Sequence, residues 1–291
     1  MRVGLQVPRF TWPGAPDSIG PGLARIAKTA DEAGFYSIWV MDHFFQIEVI
    51  GAAEEPMLEG YSALTFVAGV TERAKLGTLV TGAHYRHPGI LMKTVTTLDV
   101  LSGGRAYLGI GAGWYERESR GLGVPFPPTA ERFERLEETL EIAHRMFSGE
   151  GGAYEGEHYR LEEAMNNPPP LSGPPIMVGG MGEQKTLRLV ARHADACNLF
   201  TYGGTELIRH KLDVLRRHCE EAGRPYEEIE RTSLGTVHLA PGEMSVDNVI
   251  GTCRDLAGAG IQHAIFNMPN VHEMEPIETF GREVIPAVAD F

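Results

Sequence analysis

Short apolar runs alternate with amphipathic segments along the whole chain of 291 residues. The runs have the length of buried parallel strands, and the segments between them place apolar residues three and four positions apart, as on one face of a helix. Eight such strand–helix units in roughly 250–300 residues predict a (β/α)8 TIM barrel. A doubly wound open sheet is the alternative. The predicted strands are residues 3–7, 36–40, 76–80, 105–111, 176–178, 196–199, 232–239 and 261–267.

One connection, between the fourth and fifth predicted strands, is longer than the others. A helix with Phe133, Leu136 and Leu140 on one face is followed by the irregular segment 149–173. A connection of that length inside a compact domain is usually a functional lid or an insertion. No change in composition divides the chain, so we expect a single domain over residues 1–291, with 149–173 as an insertion or lid within it.

The formal net charge of −13 disfavours nucleic acid and anionic membranes as partners, because both are negatively charged. No apolar run approaches the length of a membrane-spanning helix. The chain enters a predicted strand directly, without a signal-peptide pattern, so we expect a cytoplasmic protein. The three cysteines are widely spaced, which fits reduced, buried thiols and no Cys-x-x-Cys site.

The fifth predicted strand runs into a glycine turn, which we define as Gly179, Gly180, Met181 and Gly182. Glycine lets the backbone approach a ligand closely, and a helix predicted to begin near Glu183 would direct free N–H groups and its positive dipole end at the turn. This arrangement predicts a phosphate site, and an ordinary tight turn is the alternative. The spacing matches neither G-x-G-x-x-G nor a Walker lysine motif, which excludes a Rossmann or P-loop nucleotide site.

In a barrel of this kind the functional residues lie at the carboxyl ends of the strands. We find no lysine there, which argues against a Schiff-base aldolase. Asp42 and Glu116 are the only carboxylates that we place at these ends, too few for a magnesium site, and His84 and His87 lack partners at metal-ligand spacing. Aromatic side chains, glycine-rich backbone and histidines remain, which favours a large planar cofactor that carries the chemistry.

Four stretches of the chain, in order, carry a family resemblance. They are MRVGLQ, WVMDHFF, LGTLVTGAHYRHPGILMKTVTTLDVLSGGRAYLGIGAGW and PPIMVGGMGEQKTLRLVARHADACN. Together they resemble the luciferase-like monooxygenase superfamily, and most closely its bacterial and archaeal branch that uses the deazaflavin coenzyme F420. The resemblance covers essentially the whole chain. It implies a TIM barrel of the bacterial luciferase-like type with an insertion, commonly homodimeric, with the cofactor phosphate after the fifth strand.

The resemblance also implies roles for individual residues. Asp42 and His43 match the polar pair beside the ring: His43 would exchange a proton with the substrate, or alternatively only hydrogen-bond the ring, and Asp42 would orient the cofactor or nearby backbone. A non-prolyl cis peptide bond is implied between residues 80 and 84. The implied cofactor contacts are Asp42, Thr81, Gly82, Ala83, Gly111, Ala112, Gly113, Gly179, Gly180, Met181 and Gly182, and the implied substrate pocket is Phe44, Phe45, His84, Trp114 and Tyr202.

One loop departs from the pattern of the family members that oxidise glucose 6-phosphate. Those members carry a glutamate after the fourth strand and lysines for the sugar phosphate, whereas this loop reads GAGWYERE, with Trp114 at the glutamate's place. No lysine lies near the end of the sixth predicted strand. We therefore do not expect sugar-phosphate oxidation, and the aromatic residues suggest a small apolar or aromatic substrate. Packing of each aromatic against the cofactor or lid is the alternative.

The activity implied by the resemblance is that of an F420-dependent oxidoreductase, which transfers a hydride between C5 of the deazaflavin and a small organic substrate. A separate F420 reductase or dehydrogenase would supply the cofactor. An FMN-dependent two-component monooxygenase of the same fold is one alternative, because both cofactors have a tricyclic ring and a phosphate. A carrier or sensor without turnover is another. Arg86, Arg117 and Lys185 are candidate contacts for the acidic F420 tail.

Overall fold

Nine of the eleven strands form one parallel sheet that curls into a nearly closed barrel, in a computed structural model that describes residues 1–291. The strands are β1 Arg2–Val7, β2 Ser37–Val40, β3 Lys75–Thr78, β4 Thr81–Gly82, β5 Leu108–Gly111, β6 Tyr154–Glu155, β7 Arg160–Leu161, β8 Ile176–Gly179, β9 Ala196–Phe200, β10 Glu230–Thr236 and β11 His263–Asn267. Their order in the main sheet is β3-β2-β1-β11-β10-β9-β8-β5-β4. A bridge between Leu76 and Ala106 places β3 beside the start of β5. The (β/α)8 prediction is confirmed.

The third predicted strand is interrupted in its middle. β3 ends at Thr78, β4 begins at Thr81, and the Leu79–Val80 peptide bond between them is cis. The non-prolyl cis bond therefore lies immediately before the interval 80–84 in which the sequence placed it. The side-chain amide of Gln6 on β1 donates to the Leu79 carbonyl oxygen at 3.0 Å, which ties the interruption to a strand two places away in the sheet.

Apolar side chains fill the space inside the barrel and the layer between barrel and helices. The inner cluster contains Trp39, Tyr107, Met177 and Ile265, each at most 4% exposed. A larger cluster of 64 buried residues joins the outer faces of the strands to the helices. Strands buried on both faces explain the continuous apolar runs in the sequence. Because the interior is filled, the carboxyl edge of the barrel is left for function.

Helices follow the strands around the outside of the barrel. They are α1 Ile19–Ala33, α2 Gly60–Ala68, α3 Pro88–Leu101, α4 Glu116–Gly121, α5 Thr129–Ser148, α6 Thr186–His193, α7 Gly204–Ala222, α8 Val246–Gly258, α9 Glu275–Thr279 and α10 Ile285–Val288. Local sequence explains several ends: Ser245 and Asn248 form a capping box at the start of α8, and Gly34 and Gly223 end α1 and α7 in the left-handed conformation.

The insertion 149–173 is more regular than the sequence predicted. It contains the antiparallel hairpin of β6 and β7. Glu138 of α5 accepts hydrogen bonds from the backbone N–H groups of Glu157, His158 and Tyr159, and Asn166 donates to Thr96 of α3 at 2.8 Å. The segment is thus fastened to two helices of the barrel, and its role as a lid stays a prediction.

The three cysteines have the reduced, buried state that their spacing predicted. Cys197, Cys219 and Cys253 are buried free thiols, and burial raises the pKa of Cys197 to about 12 and that of Cys253 to about 11. These thiols stay protonated and pack as small apolar groups.

None of the helices combines the length and the apolar character that crossing a bilayer demands.

Candidate active site

The carboxyl ends of β2 and β5 bring a histidine into contact with a buried glutamate. His43 lies in the loop after β2, and Glu118 lies in α4, the short helix after β5. His43 Nδ1 is 2.6 Å from Glu118 Oε1. The Glu118 side chain is fully buried, whereas that of His43 is 11% exposed. The imidazole therefore sits between the protein interior and the open carboxyl edge of the barrel.

Glu118 accepts four hydrogen bonds, two on each carboxylate oxygen. Oε1 accepts from His43 Nδ1 and from the Tyr85 hydroxyl group. Oε2 accepts from the backbone N–H groups of Phe44 at 2.7 Å and Phe45 at 3.1 Å. Burial alone would raise the pKa of Glu118, but the hydrogen bonds, that of His43 foremost, outweigh burial and lower this pKa. The carboxylate is therefore ionised at neutral pH.

The second ring nitrogen of His43 is free. Nδ1 is engaged with Glu118, and Nε2 makes no hydrogen bond with any other protein group. The rings of Trp114 and Tyr115 stand edge-on to the imidazole, with centroids 5.6 Å and 5.8 Å away. A histidine held on one side and free on the other can exchange a proton with a bound ligand.

The carboxylate of Asp42, the residue before His43, is paired with an arginine. Its two oxygens accept from the guanidinium group of Arg86, one of them at 3.0 Å, and Asp42 is 0% exposed. Arg86 also binds Glu59 and lies over the ring of Tyr61 at 5.0 Å. Burial lowers the pKa of Arg86, but the contacts with Asp42 and Glu59 outweigh this and raise it. Arg86 is thus held by two carboxylates, Asp42 and Glu59, and its contact with a cofactor tail stays a prediction.

The other two candidate tail contacts are on the surface. Arg117 pairs with Glu48 and Glu54 at 3.7 Å and 3.0 Å, and all three side chains are more than half exposed. The Lys185 ammonium lies 5.2 Å from the centre of the Phe133 ring. Both residues are accessible, and their contact with a tail stays a prediction.

The interruption between β3 and β4 presents a valine to the site. Thr81 and Ala83 are 0% and 1% exposed, and the Thr81 hydroxyl bonds with those of Tyr61 and Thr78 at 2.9 Å and 2.8 Å. Neither residue offers surface to a ligand, so the structure does not support the predicted cofactor contacts there; Gly82 is also buried, covered by the rings of Tyr85 and His84. Val80 is half-buried and is the accessible residue of the stretch.

Val80 lies against the glycines of two neighbouring strands. A Cβ atom built on Gly179 would lie 2.9 Å from Val80 Cγ1, and one on Gly111 would lie 3.2 Å from Val80 Cγ2. Glycines at these positions give the valine room to lie across the ends of β5 and β8. The result is an apolar floor at the carboxyl edge, formed by Val80 and the two glycines.

The glycine turn after β8 has unused backbone donors. The N–H groups of Met181 and Gly182 donate to no group of the protein, whereas that of Gly180 reaches the Asn198 carbonyl oxygen at 3.3 Å. Gly180 has a φ of 123°, a conformation that residues with a Cβ atom rarely adopt. The following helix begins at Thr186 and not near Glu183, so the donors belong to an extended turn rather than to the first helical residues. Free amides of successive residues are the kind of group that binds an anion in proteins.

The aromatic residues of the predicted substrate pocket differ in solvent exposure and in location. Trp114 and Tyr202 are 59% and 80% exposed, and Tyr202 stacks on Phe200 at 5.6 Å. Phe44 and Phe45 are half-buried beside the His43 loop. The structure thus offers aromatic surface at two places on the barrel edge, after β5 and after β9, which are separated by β8 in the sheet.

His84 lies under the loop after β5. Its Nε2 is 3.0 Å from the Ser119 hydroxyl oxygen, and a Cβ atom on Gly113 would lie 2.2 Å from its ring. Burial, helped by the positive charge of Arg132, lowers the pKa of His84 to about 4. The imidazole is therefore neutral at neutral pH and supports Gly113, Ala112 and α4 from below.

Comparison with known proteins gives the family. The family model described as luciferase-like monooxygenase matches residues 1–271. The chain belongs to the luciferase-like monooxygenase family. The F420-dependent glucose-6-phosphate dehydrogenase of Nakamurella multipartita is 33% identical over 225 residues, which are 76% of this chain and 65% of that relative. This luciferase-like chain thus spans slightly less than two thirds of the length of that relative.

Two further similarities agree with this assignment. The 5,10-methylenetetrahydromethanopterin reductase of Methanopyrus kandleri is 28% identical over 228 residues, 74% of this chain and 61% of that protein. The structure of an F420-dependent secondary alcohol dehydrogenase in complex with an F420–acetone adduct has a TM-score of 0.84 at 18% identity and covers 99% of both chains. The structural likeness shows the fold of this luciferase-like family member.

Glu118, Tyr85 and Val80 of this luciferase-like chain were not among the predicted site residues. The carboxylates expected at the strand ends reached only to Glu116, and Glu118 lies two residues further on. Tyr115, Glu118 and Ser119 are all buried and are spaced as on one face of a helix. A carboxylate on the buried face of a short helix is rare unless it is paired, and that pattern could have identified Glu118 as a partner of His43.

Proposed function

We propose that the chain is an F420-dependent oxidoreductase that transfers a hydride between the deazaflavin and a small organic substrate. The observation that carries the proposal is the His43–Glu118 pair at the carboxyl edge, with His43 Nε2 free. The cofactor is proposed because the relatives from Nakamurella multipartita and other bacteria are named as F420-dependent enzymes. The glycine turn and the valine floor fit a ligand with a phosphate and a planar ring.

Each part of the proposed cofactor site has a physical basis. The free N–H groups of Met181 and Gly182 would hold the phosphate, and Val80 would support the ring. Bound F420 supplies or accepts a hydride at C5 of its ring. The partly exposed Ala112 and Gly113 lie on the β5 side of the same edge, where His84 holds their loop in place.

His43 would give or take the proton that accompanies the hydride, at Nε2. Glu118 cannot do so itself, because its side chain is fully buried and accepts four hydrogen bonds. Asp42 is equally inaccessible and holds Arg86, so we propose that it positions the loop and does not react. The predicted catalytic pair thus becomes one proton-exchanging residue and one positioning residue.

The substrate that we propose is small, neutral and apolar or aromatic. Trp114 stands beside His43 and is largely exposed, so it can form a wall against a substrate that reaches Nε2. The loop after β9, residues 201–203, contains no lysine or arginine to bind a sugar phosphate. These two features argue against the sugar-phosphate substrate that the name of the Nakamurella relative would suggest.

The cofactor is tested by titration of the purified protein with F420 and, separately, with FMN. Met181→Glu brings a negative charge to the glycine turn and should weaken F420 binding at least tenfold, roughly 1.4 kcal/mol. Gln262→Glu makes the same charge change at the amino end of the barrel and serves as the control. Preference of the wild type for FMN would replace the proposal with an FMN-dependent monooxygenase. Binding without turnover of any acceptor would favour a carrier or sensor.

Homodimerisation, a cytoplasmic location and a separate F420 reductase or dehydrogenase as supplier remain proposals. Phe66 of α2 and Ile90 and Leu101 of α3 are 45%, 64% and 64% exposed, an unusual surface for apolar side chains. We propose this surface for the dimer. Light scattering of the wild type and of Ile90→Glu would test it, and a wild-type monomer would refute it.

A further inference from the structure

The two oxygens of Glu118 serve different parts of the His43 loop. Oε2 binds the backbone N–H groups of Phe44 and Phe45, the two residues that follow His43. Oε1 binds the His43 ring and the Tyr85 hydroxyl group. One buried carboxylate thus fixes both the backbone after the histidine and the orientation of its imidazole.

We propose that Glu118, supported by Tyr85, is a positioning residue that holds His43 as the Nδ1–H tautomer and so makes Nε2 the nitrogen that exchanges the proton. An ionised carboxylate has no proton to give, so a neutral His43 must donate from Nδ1 and keep a lone pair on Nε2. When Nε2 takes a proton, the same carboxylate stabilises the imidazolium. The catalytic part of this inference rests on the proposed function; the tautomer does not.

Tyr85 completes the arrangement from the loop after β4. Its hydroxyl group shares Oε1 with the imidazole. Burial and the contact with Glu118 raise the pKa of Tyr85 far above its ordinary value, so it remains a donor. The other titratable groups around His43 are Tyr115, whose hydroxyl donates to the Gln46 carbonyl oxygen at 3.3 Å, and the Asp42–Arg86 pair. None of these offers Nδ1 a competing acceptor.

The geometry makes Glu118→Gln an informative change. The backbone N–H groups of Phe44 and Phe45 can only donate, so the amide oxygen of the glutamine must take the place of Oε2. Its NH2 group then takes the place of Oε1 and faces His43 Nδ1. That group donates to Nδ1, which forces the neutral ring into the opposite tautomer, with the proton on Nε2. The side-chain volume and the backbone contacts are retained.

The tautomer can be measured without any cofactor. Nitrogen-15 NMR of histidine-labelled protein distinguishes protonated from bare ring nitrogens, and the His43 signals are identified by their absence in His43→Gln among the 11 histidines. We expect Nδ1–H in the wild type and in Tyr85→Phe, and Nε2–H in Glu118→Gln. An Nε2–H wild type, or a Glu118→Gln protein with the wild-type tautomer, would overturn the inference.

A kinetic measurement then tests what the His43 tautomer does to the rate of turnover. Glu118→Gln should lower kcat roughly 10²–10⁴-fold with little change in KM, as expected when a general base holds the wrong tautomer. Tyr85→Phe, which keeps the carboxylate and the tautomer, should retain most of kcat; equal losses of kcat in Tyr85→Phe and Glu118→Gln would overturn the positioning role. If the wild type has the expected tautomer but does not bind F420, the proposed function fails and the tautomer assignment stands.

Discussion

Tyr85 and Arg86 are consecutive residues whose side chains bind two different buried carboxylates, Glu118 and Asp42. On the facing loop, Asp42 and His43 are also consecutive. The loop after β4 therefore holds the loop after β2 directly through the Arg86–Asp42 ion pair, and indirectly through Glu118 of α4, which binds both Tyr85 and His43. The position of His43 depends on both.

Arg86→Met should destabilise the fold strongly. It leaves the carboxylate of Asp42 buried without a partner, which costs about 3–5 kcal/mol of unfolding free energy. Arg117→Met, which breaks exposed pairs, should cost about 0–1 kcal/mol and is the matched control. Denaturant unfolding measures both. Adding Asp42→Asn to Arg86→Met should recover part of the loss; equal effects of the two arginine variants would contradict the buried pair.

Gly113→Ala should disturb the site through His84. The glycine has a φ of 76°, and the added Cβ atom would lie 2.2 Å from the imidazole, which must move and release Ser119. Gly123→Ala has nearly the same φ, 72°, with nothing within 4 Å of the added atom, so it reports backbone strain alone. Strain of this kind costs about 1–2 kcal/mol. We expect Gly113→Ala, but not Gly123→Ala, to lose more unfolding free energy than this strain costs. Gly113→Ala should also lose turnover.

His84 should make the fold sensitive to acid. Burial, with the charge of Arg132, lowers its pKa from 6.5 to about 4 in the folded protein. As pH falls from 6.5 towards 4, the unfolded chain takes up a proton at this residue before the folded chain does, so stability is lost. His84→Gln keeps a group able to bond Ser119 but does not titrate. Unfolding free energies measured across this range should fall more steeply for the wild type; parallel curves would refute the assignment.

Trp114 should affect the substrate more than the cofactor. Trp114→Ala removes the exposed ring beside His43 and should raise KM for an aromatic acceptor roughly tenfold, while Trp114→Phe keeps most of the contact. The dissociation constant of F420 should change little in either variant. A larger effect on F420 than on the acceptor would instead place Trp114 against the cofactor.

The order of strands and helices could be predicted from the sequence because it rests on local patterns. Continuous apolar runs mark strands buried on both faces, and the glycine turn after Val178 carries its own signature. The partners of His43 and Asp42 could not be found in this way. Glu118 and Arg86 lie 75 and 44 residues further along the chain than those two residues, and only the closed barrel brings them together.

The partners of charged residues were the hardest feature to predict from the sequence. Arg86 reads as a solvent-exposed arginine in sequence, since arginine is seldom buried without a partner. Its burial follows from Asp42 and Glu59 on the connection between β2 and α2, which no local pattern links to it. Thr81 and Ala83 are also buried, and Val80 is the accessible side chain of that stretch, so the predicted cofactor contacts of these two residues stay predictions.

The most direct test of the central claim is single-turnover oxidation of bound, reduced F420 by a panel of neutral acceptors, followed by the absorbance of the deazaflavin. Wild-type protein and His144→Ala, which alters an exposed histidine on the outside of α5, should react alike. His43→Ala should bind F420 normally and react roughly 10²–10⁴-fold more slowly. An unchanged rate in His43→Ala, or no reaction of the wild type with any acceptor, would contradict the account.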